Sequence, residues 1–268
     1  MIEHGDGKAM AMTHAGGTAA TSAPLRGKVA VVIGGGRGIG RETARRLASA
    51  GARVVVAART ASQLEAVVVE ITALGGEATA VTVDVTRPES VQLLAHAVRK
   101  AHGHVDVLVN SAGDSHIAPL DATSEADWDR VIDTNLKGPY LCIRAMLDLL
   151  RASPGAQVVN IASKVGLTGH AQVTAYTAAK AGLIGFSRAL ALELKPENIR
   201  VVVICPGPVD TPMRWAATPN LDPSMVMSTE TIAETILFAV TLGDRAALST
   251  ELVIEAVGYQ ESAVPLPG

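Results

Sequence analysis

Three side chains in one stretch could together move a proton. Ser163 follows Asn160-Ile161-Ala162, and Tyr176 and Lys180 stand four apart in Tyr176-Thr177-Ala178-Ala179-Lys180. In a helical pattern that spacing stacks the tyrosine and the lysine on one face, a turn apart. An ordinary phenol, with a pKa of ~10, is a poor acid–base group at neutral pH. A nearby ammonium favours the phenolate, and bringing it to neutrality would take ~4 kcal/mol of differential stabilisation. A serine hydroxyl beside the pair can hydrogen-bond a substrate oxygen as charge develops on it. The chemistry that uses this set is proton donation to a carbonyl that receives a hydride, or the reverse from an alcohol. Taken singly the signals are weak, because Tyr-x-x-x-Lys is a common pair on amphipathic surface helices and a serine closing a strand is unremarkable.

A second cluster lies upstream. The apolar run Val29–Ile33 passes straight into Gly34-Gly35-Gly36-Arg37-Gly38-Ile39-Gly40, and a helical pattern follows. The spacing is G-x-x-x-G-x-G rather than G-x-G-x-x-G, but the physics is shared. Glycines permit positive φ and close backbone approach, and the helix start offers free N–H groups and a positive dipole end to a pyrophosphate. Gly34, Gly36, Arg37, Gly38, Ile39 and Gly40 are therefore candidate dinucleotide contacts; the alternative is a glycine-rich turn with no ligand. The next apolar run ends Val56-Ala57-Ala58-Arg59-Thr60, with no carboxylate before Glu65. An NAD-selective site commonly places Asp or Glu there for the ribose 2′-hydroxyl. Arg59 and Arg37 could instead grip a 2′-phosphate bidentately, which favours NADP(H) over NAD(H). The competing reading is two solvated surface arginines.

These residues need a scaffold that brings distant segments to one edge. Short apolar runs at Val29–Ile33, Arg53–Ala57, Ala78–Val83, Val105–Val109, Gln157–Ile161, Arg200–Ile204 and Glu251–Ile254 read as strands, most of them continuous enough to be covered on both faces. Helical patterns lie between them, near 39–50, 61–74, 88–102, 124–150, 174–194 and 229–242. The alternation predicts an α/β, single-domain Rossmann fold: a doubly wound, seven-stranded parallel sheet with helices on both faces. Ligands of such sheets bind at the carboxyl ends of the strands, where most of the residues singled out above are expected to sit.

Together these motifs resemble the short-chain dehydrogenase/reductase family over residues 25 to about 258. In family order they are Gly34–Gly40, Asp84-Val85, Asn110-Ser111-Ala112-Gly113, Asn135, Ser163, Tyr176 with Lys180, and Pro206-Gly207 through Thr211. The resemblance implies that Asp84 and Val85 border the adenine and that Asn110, Ala112 and Gly113 lie beside the cofactor. It implies that Pro206, Gly207, Val209 and Thr211 contact the nicotinamide end. In the family mechanism Tyr176 is the acid–base, Ser163 fixes the carbonyl, and Lys180 lowers the tyrosine pKa and holds the nicotinamide ribose. Asn135 would hold a water joining Lys180 to solvent as a proton relay. The resemblance also implies a homodimer or homotetramer. The chain departs from many members at Ile33, where Thr is frequent, at Ser111, where a second Asn is frequent, and in the ending Glu251-Leu252-Val253-Ile254-Glu255-Ala256, which lacks glycine.

Composition narrows the alternatives. About half the 268 residues are apolar and 18% are charged, which suits a buried core. The net charge of −3, without a basic stripe, argues against nucleic acid as a partner. No stretch reaches the ~18 apolar residues of a membrane span. Cys142 and Cys205 lack metal-ligand spacing and read as buried small hydrophobes, so no metal site is expected. Residues 1–24 have no period and no continuous apolar stretch, and are read as a flexible tail on a cytoplasmic protein whose domain covers 25–268. A small carbonyl or alcohol substrate should meet the segments 114–117, 164–169 and the loop 207–228. The part of that loop from Met213 to Met227 is either a partly apolar lid or a mobile surface loop. His116 and His170 read as ordinary loop residues, and Lys164 as a solvated lysine, with an acidic substrate group as its alternative partner. Two other classes remain: a catalytically silent NADP(H)-binding sensor or scaffold, and an epimerase or dehalogenase on the same fold. The intact Ser163, Tyr176, Lys180 and Asn135 weigh against the first. The glycine turn and arginines weigh against dehalogenation, which needs no dinucleotide.

Overall fold

The valine-rich runs divide their side chains between two cores. In Val29–Ile33 (β1) every residue is buried; Ala30 and Val32 enter one apolar cluster, Val31 and Ile33 another. Successive side chains of a strand point to opposite faces, so a continuous apolar run serves two helical layers at once. The same division recurs in β2 (Arg53–Ala58), with Val54 and Val56 on one side and Val55 and Ala57 on the other. The computed structural model describes residues 23–242 and 251–257. The tail expected over 1–24 therefore lies outside the described residues, apart from Ala23 and Pro24.

The remaining strands are β3 (Glu77–Thr82), β4 (Val107–Asn110), β5 (Gln157–Ile161), β6 (Arg200–Pro206) and β7 (Glu251–Ile254). All pair in parallel, in the order β3-β2-β1-β4-β5-β6-β7. The order reverses between β1 and β4, and the crevice at that reversal is where such sheets bind ligands. The helices α1 (Gly38–Ser49), α2 (Ala61–Ala73) and α3 (Pro88–His102) follow the first three strands. Then come α4 (Glu125–Ile132), α5 (Gly138–Arg151), α6 (Val165–Thr168), α7 (Thr174–Leu194), α8 (Pro212–Ala217) and α9 (Thr229–Thr241). Leu47 of α1, Leu64 of α2 and Ile236 of α9 pack on one face of the sheet; Leu94 of α3, Met146 of α5 and Leu194 of α7 pack on the other. The fold is a single Rossmann-like α/β domain. Among the described residues no helix is long and apolar enough to cross a membrane.

Two expectations need correction. β3 is mostly exposed, with no buried residue, rather than covered, because it forms an edge of the sheet. The long helix expected over 124–150 is broken: α4 ends at Ile132, a wide π-type turn spans Asp133–Lys137, and α5 starts at Gly138. Pro139 has no N–H to give the carbonyl of Asn135, so the regular ladder fails there. Gly138 also fits where a Cβ would meet the Val85 side chain at 2.9 Å.

At the amino ends of the strands, Asp106 ties the layers together. Its carboxylate accepts from Val29 N at 2.7 Å, Lys28 Nζ at 2.9 Å and Ser153 Oγ at 2.6 Å, while His104 Nε2 lies 3.2 Å away. Burial works to raise the carboxyl, but the hydrogen bonds from Ser153, Val29 and Lys28 outweigh it and hold Asp106 below its ordinary range. A depressed carboxyl contributes stability that is present above its unfolded pKa of ~3.9 and is lost as pH falls through the folded value. Asp106→Ala is expected to cost about 1–3 kcal/mol at neutral pH, since buried donors lose their acceptor. The difference from wild type should shrink below pH ~4. Urea unfolding of both proteins across that range measures it; a gap that stays constant with pH would refute the linkage.

Candidate functional site

The glycine turn is built by close approach. Gly34 sits at φ +79°, and a Cβ there would lie 2.6 Å from the amide nitrogen of Ala112, after β4. A Cβ on Gly40 would lie 2.2 Å from the Gly34 carbonyl oxygen, so α1 rests directly on the turn. α1 begins without a side-chain cap and without an acidic residue in its first turn. Its first N–H groups and positive dipole end are left for whatever enters the crevice.

That crevice is a cavity of about 440 Å³, within the usual range for a small-molecule or cofactor site. Gly34, Gly36, Arg37, Gly38 and Ile39 line its first side. Arg59, Asp84 and Val85 continue it at the ends of β2 and β3. Ala112 and Gly113 follow β4, and Pro206, Gly207, Val209 and Thr211 follow or end β6. Arg37 and Arg59 are exposed, and neither has a hydrogen bond or ion pair among the described residues. Asp84 accepts from Thr86 N at 3.0 Å and Thr86 Oγ1 at 2.7 Å. Burial pushes its carboxyl up, but those bonds and the charges of Arg59 and Arg87 hold it below the ordinary range.

At the other end Ser163, Tyr176 and Lys180 face the same cavity. Ser163 lies two residues beyond β5 rather than within it, and the pairing continues there through Ala162 N to Ile204 O (2.8 Å) and Lys164 N to Pro206 O (2.9 Å). α7 carries Tyr176 and Lys180 on one face, with the lysine Nζ 5.5 Å from the centre of the tyrosine ring. The same Nζ donates to the Ile161 carbonyl at 2.8 Å, which ties the helix to the end of β5. Burial raises the Tyr176 hydroxyl above the ordinary phenol range; its hydrogen bond with Ser163 and the charge of Arg214 oppose that shift. Burial also brings the Lys180 ammonium down to about 8. The net shift of the hydroxyl is upward, with the Lys180 Nζ 5.5 Å from the ring centre.

Three candidates do not line the cavity: Gly40, which packs α1 on the turn, Asn110 and Asn135. Asn110 Nδ2 donates to Asn160 Oδ1 at 2.8 Å, and Asn160 Nδ2 donates to Ser187 Oγ at 2.8 Å, so the side chain is held in a buried chain of bonds. Asn135 is fully buried in the wide turn, its Nδ2 donating to Val131 O at 2.8 Å and Asp114 O at 2.7 Å. Both amide hydrogens are committed, and Oδ1 already accepts from Asp114 N at 3.4 Å, so a relay water would meet the residue only at its oxygens. Of the substrate segments, Ser115, Ile117, Val165, Met213, Arg214, Ala217 and Thr218 reach the cavity. Lys164 is not simply solvated, since it forms an ion pair with Glu255 at 2.5 Å. His116 lies 3.7 Å from Asp127 and does not line the cavity, whereas His170 does.

The sequence gives no signal for Gln63 at the cavity, covers Ser115 and Arg214 only as members of the substrate segments, and leaves the short helix α8 unassigned. α8 had a legible signal. Thr211 caps it by accepting from Arg214 N at 3.2 Å, and Pro212 follows at the first helical position.

Comparison with known proteins agrees with this geometry. Residues 28–222 match the family described as short chain dehydrogenase. A curated relative, the (2S)-[(R)-hydroxy(phenyl)methyl]succinyl-CoA dehydrogenase subunit BbsD of Thauera aromatica, is 36% identical over 80% of this chain and 89% of its own. A crystal structure of a metagenomic short-chain oxidoreductase in complex with NADP superposes with a TM-score of 0.76 at 37% identity, covering 86% of this chain and 98% of that one. An alcohol dehydrogenase from the archaeon Thermococcus sibiricus, complexed with 5-hydroxy-NADP, gives a TM-score of 0.81 at 28% identity, covering 87% and 98%.

Proposed function

The chain belongs to the short chain dehydrogenase family, and from that premise we propose that it is an NADP(H)-dependent oxidoreductase acting on a carbonyl or alcohol group, with Tyr176 as its acid–base. The observation that carries the reading is the one cavity shared by the uncapped start of α1, by Arg37 and Arg59, and by Ser163 with Tyr176 and Lys180. Those residues fit a dinucleotide: a glycine floor with no room for a Cβ at Gly34, N–H groups for the pyrophosphate, and two arginines with no hydrogen bond or ion pair among the described residues for a 2′-phosphate. The relatives solved with NADP and 5-hydroxy-NADP support the same choice of cofactor.

When bound, the reduced cofactor supplies the hydride that reaches the carbonyl carbon. Tyr176 gives its hydroxyl proton to the carbonyl oxygen, and Ser163 hydrogen-bonds that oxygen as its charge grows. An upward-shifted phenol suits this direction, since Tyr176 is then protonated and ready to donate at neutral pH. Lys180 holds the strand end at Ile161 and presents its remaining N–H groups to the cavity for a ribose. Asn135 braces the segment after β4 through Asp114 O, and its Oδ1 or carbonyl is the candidate foothold for a relay water.

Titration with NADPH and NADH followed by nicotinamide fluorescence, then a panel of ketones and aldehydes followed by absorbance, tests the reading. Selective NADPH binding and its oxidation by a panel member are the expected results. Absence of binding by either nucleotide would overturn it.

A further inference from the structure

A histidine that proton donation does not require stands at the same cavity. His170 lies in the loop between α6 and α7, and the cavity it lines is the one that Ser163 and Tyr176 face. Its Nδ1 is 2.8 Å from the Ala171 carbonyl oxygen. A carbonyl can only accept, so Nδ1 carries the hydrogen, and in the neutral ring Nε2 is an acceptor. Nε2 has no hydrogen bond or ion pair among the described residues.

The backbone that carries this ring is held in a set shape. Gln172 adopts φ +63°, in the left-handed region, a conformation that strains a residue with a side chain and persists where its surroundings fix it. Its carbonyl accepts from Ala118 N at 2.9 Å, which stitches the loop to the segment after β4 that brings Ser115 and Ile117 to the cavity. Ile117 and Val173 supply apolar lining from the two stitched segments, and Val165 supplies it from α6. The charged groups near the tyrosine, Lys180 and Arg214, are donors only and cannot meet a hydroxyl hydrogen. An acceptor fixed beside apolar lining favours a ligand that brings a donor, and an analogue without one leaves it unpaired.

We propose that the substrate is a hydroxyketone or hydroxyaldehyde, or the corresponding diol, whose hydroxyl donates to His170 Nε2 while its carbonyl carbon faces Tyr176. The proposal rests on the oxidoreductase reading above and adds the chemical class of its substrate. In the reduction the carbonyl carbon receives the hydride of NADPH and its oxygen the proton of Tyr176, so the product is a diol and the recognised hydroxyl is unchanged. His170 is then a specificity-determining residue that touches the substrate away from the reacting atoms.

The test compares 1-hydroxypropan-2-one, 4-hydroxybutan-2-one and 2-hydroxy-1-phenylethanone with their methyl ethers at pH ~8, where an ordinary imidazole is neutral. The proteins are wild type, His170→Phe and His170→Gln, each with NADPH. Every ether keeps an oxygen acceptor and loses the hydroxyl hydrogen. Wild type should favour at least one hydroxyketone over its ether in kcat/KM by about 3–10-fold, the span of one neutral hydrogen bond. His170→Phe should erase that ratio chiefly through KM, and His170→Gln, whose amide oxygen can accept, should restore part of it. The hydroxyketones should also perturb the fluorescence of bound NADPH more in wild type than in His170→Phe. NADPH affinity should be the same in all three proteins, since the only bond the ring makes among the described residues is to its neighbour Ala171. No hydroxyl preference in wild type by rate or fluorescence, or one that His170→Phe keeps, would overturn the proposal while leaving the oxidoreductase reading intact. Weaker NADPH binding by His170→Phe, with the hydroxyl preference kept, would also overturn it and assign the histidine to the cofactor. A wild-type protein that binds no NADPH would instead bring down the oxidoreductase reading itself.

Discussion

Replacing Tyr176 with phenylalanine is expected to lower the rate of carbonyl reduction by about 10²–10⁴-fold, the usual worth of a positioned general acid, with NADPH affinity unchanged. The substitution keeps the ring 5.5 Å below the Lys180 ammonium and removes only the hydroxyl that meets Ser163. Loss of an interaction made in the transition state lowers kcat and kcat/KM together, whereas loss of substrate binding raises KM. Single-turnover absorbance with saturating NADPH separates the two. Full turnover by Tyr176→Phe would require another proton donor at the cavity, and the assigned chemistry would fall. Ser163→Ala should share the direction of the effect, because the hydroxyl that hydrogen-bonds the carbonyl oxygen as its charge grows is lost.

The second large effect concerns the other end of the cavity. Arg59→Ala is expected to weaken NADPH binding by about 10–100-fold and to leave NADH nearly unaffected, since charge-assisted hydrogen bonds contribute ~1.5–3 kcal/mol. The Arg59 guanidinium is exposed, reaches the cavity and has no hydrogen bond or ion pair among the described residues. Its removal breaks no hydrogen bond or ion pair among the described residues and costs Asp84 only a nearby charge, so stability should change little. Arg59→Lys should recover only part of the affinity, because an ammonium cannot reproduce the bidentate fork. Added salt should shrink the wild-type preference as well, since an exposed contact is screened. Fluorescence titration at two ionic strengths checks all of these; equal weakening of NADPH and NADH would remove the 2′-phosphate contact.

The parts of this molecule that could be read from its sequence are those encoded locally. β1, β5 and β7 have the expected limits, as do α3 and α7, because unbroken valine runs and a sustained helical period leave little choice. α6 and α8 are too short for a period to show. The break before α5 was marked in advance by Gly138-Pro139, whose missing N–H outweighs the helical pattern around it. The glycine turn and the spacing of Tyr176 and Lys180 are local too, and they lead directly to the cavity. What sequence does not carry is the direction of a side chain and the company it keeps. Asn110 follows the expected strand but turns its amide into the Asn160–Ser187 chain instead of the crevice. Arg214, Gln63 and Ser115 reach the cavity only through tertiary placement. Burial is another such influence: spacing places an ammonium near the tyrosine, as found, but burial of the phenol sets the direction of its shift.

Both cysteines lie in packed interiors, Cys142 between the sheet and α5 and Cys205 beneath α7. Burial pushes their thiols up to about 12 and about 11. The thiolate is the reactive form, so neither buried cysteine presents mild oxidants or alkylating reagents with a ready thiolate. Its tolerance of peroxide is then set at cysteine by the opening of these cores rather than by redox chemistry at the surface. Because the two thiols sit in separate packing clusters, the rate at which each becomes modified reports when its own layer comes apart.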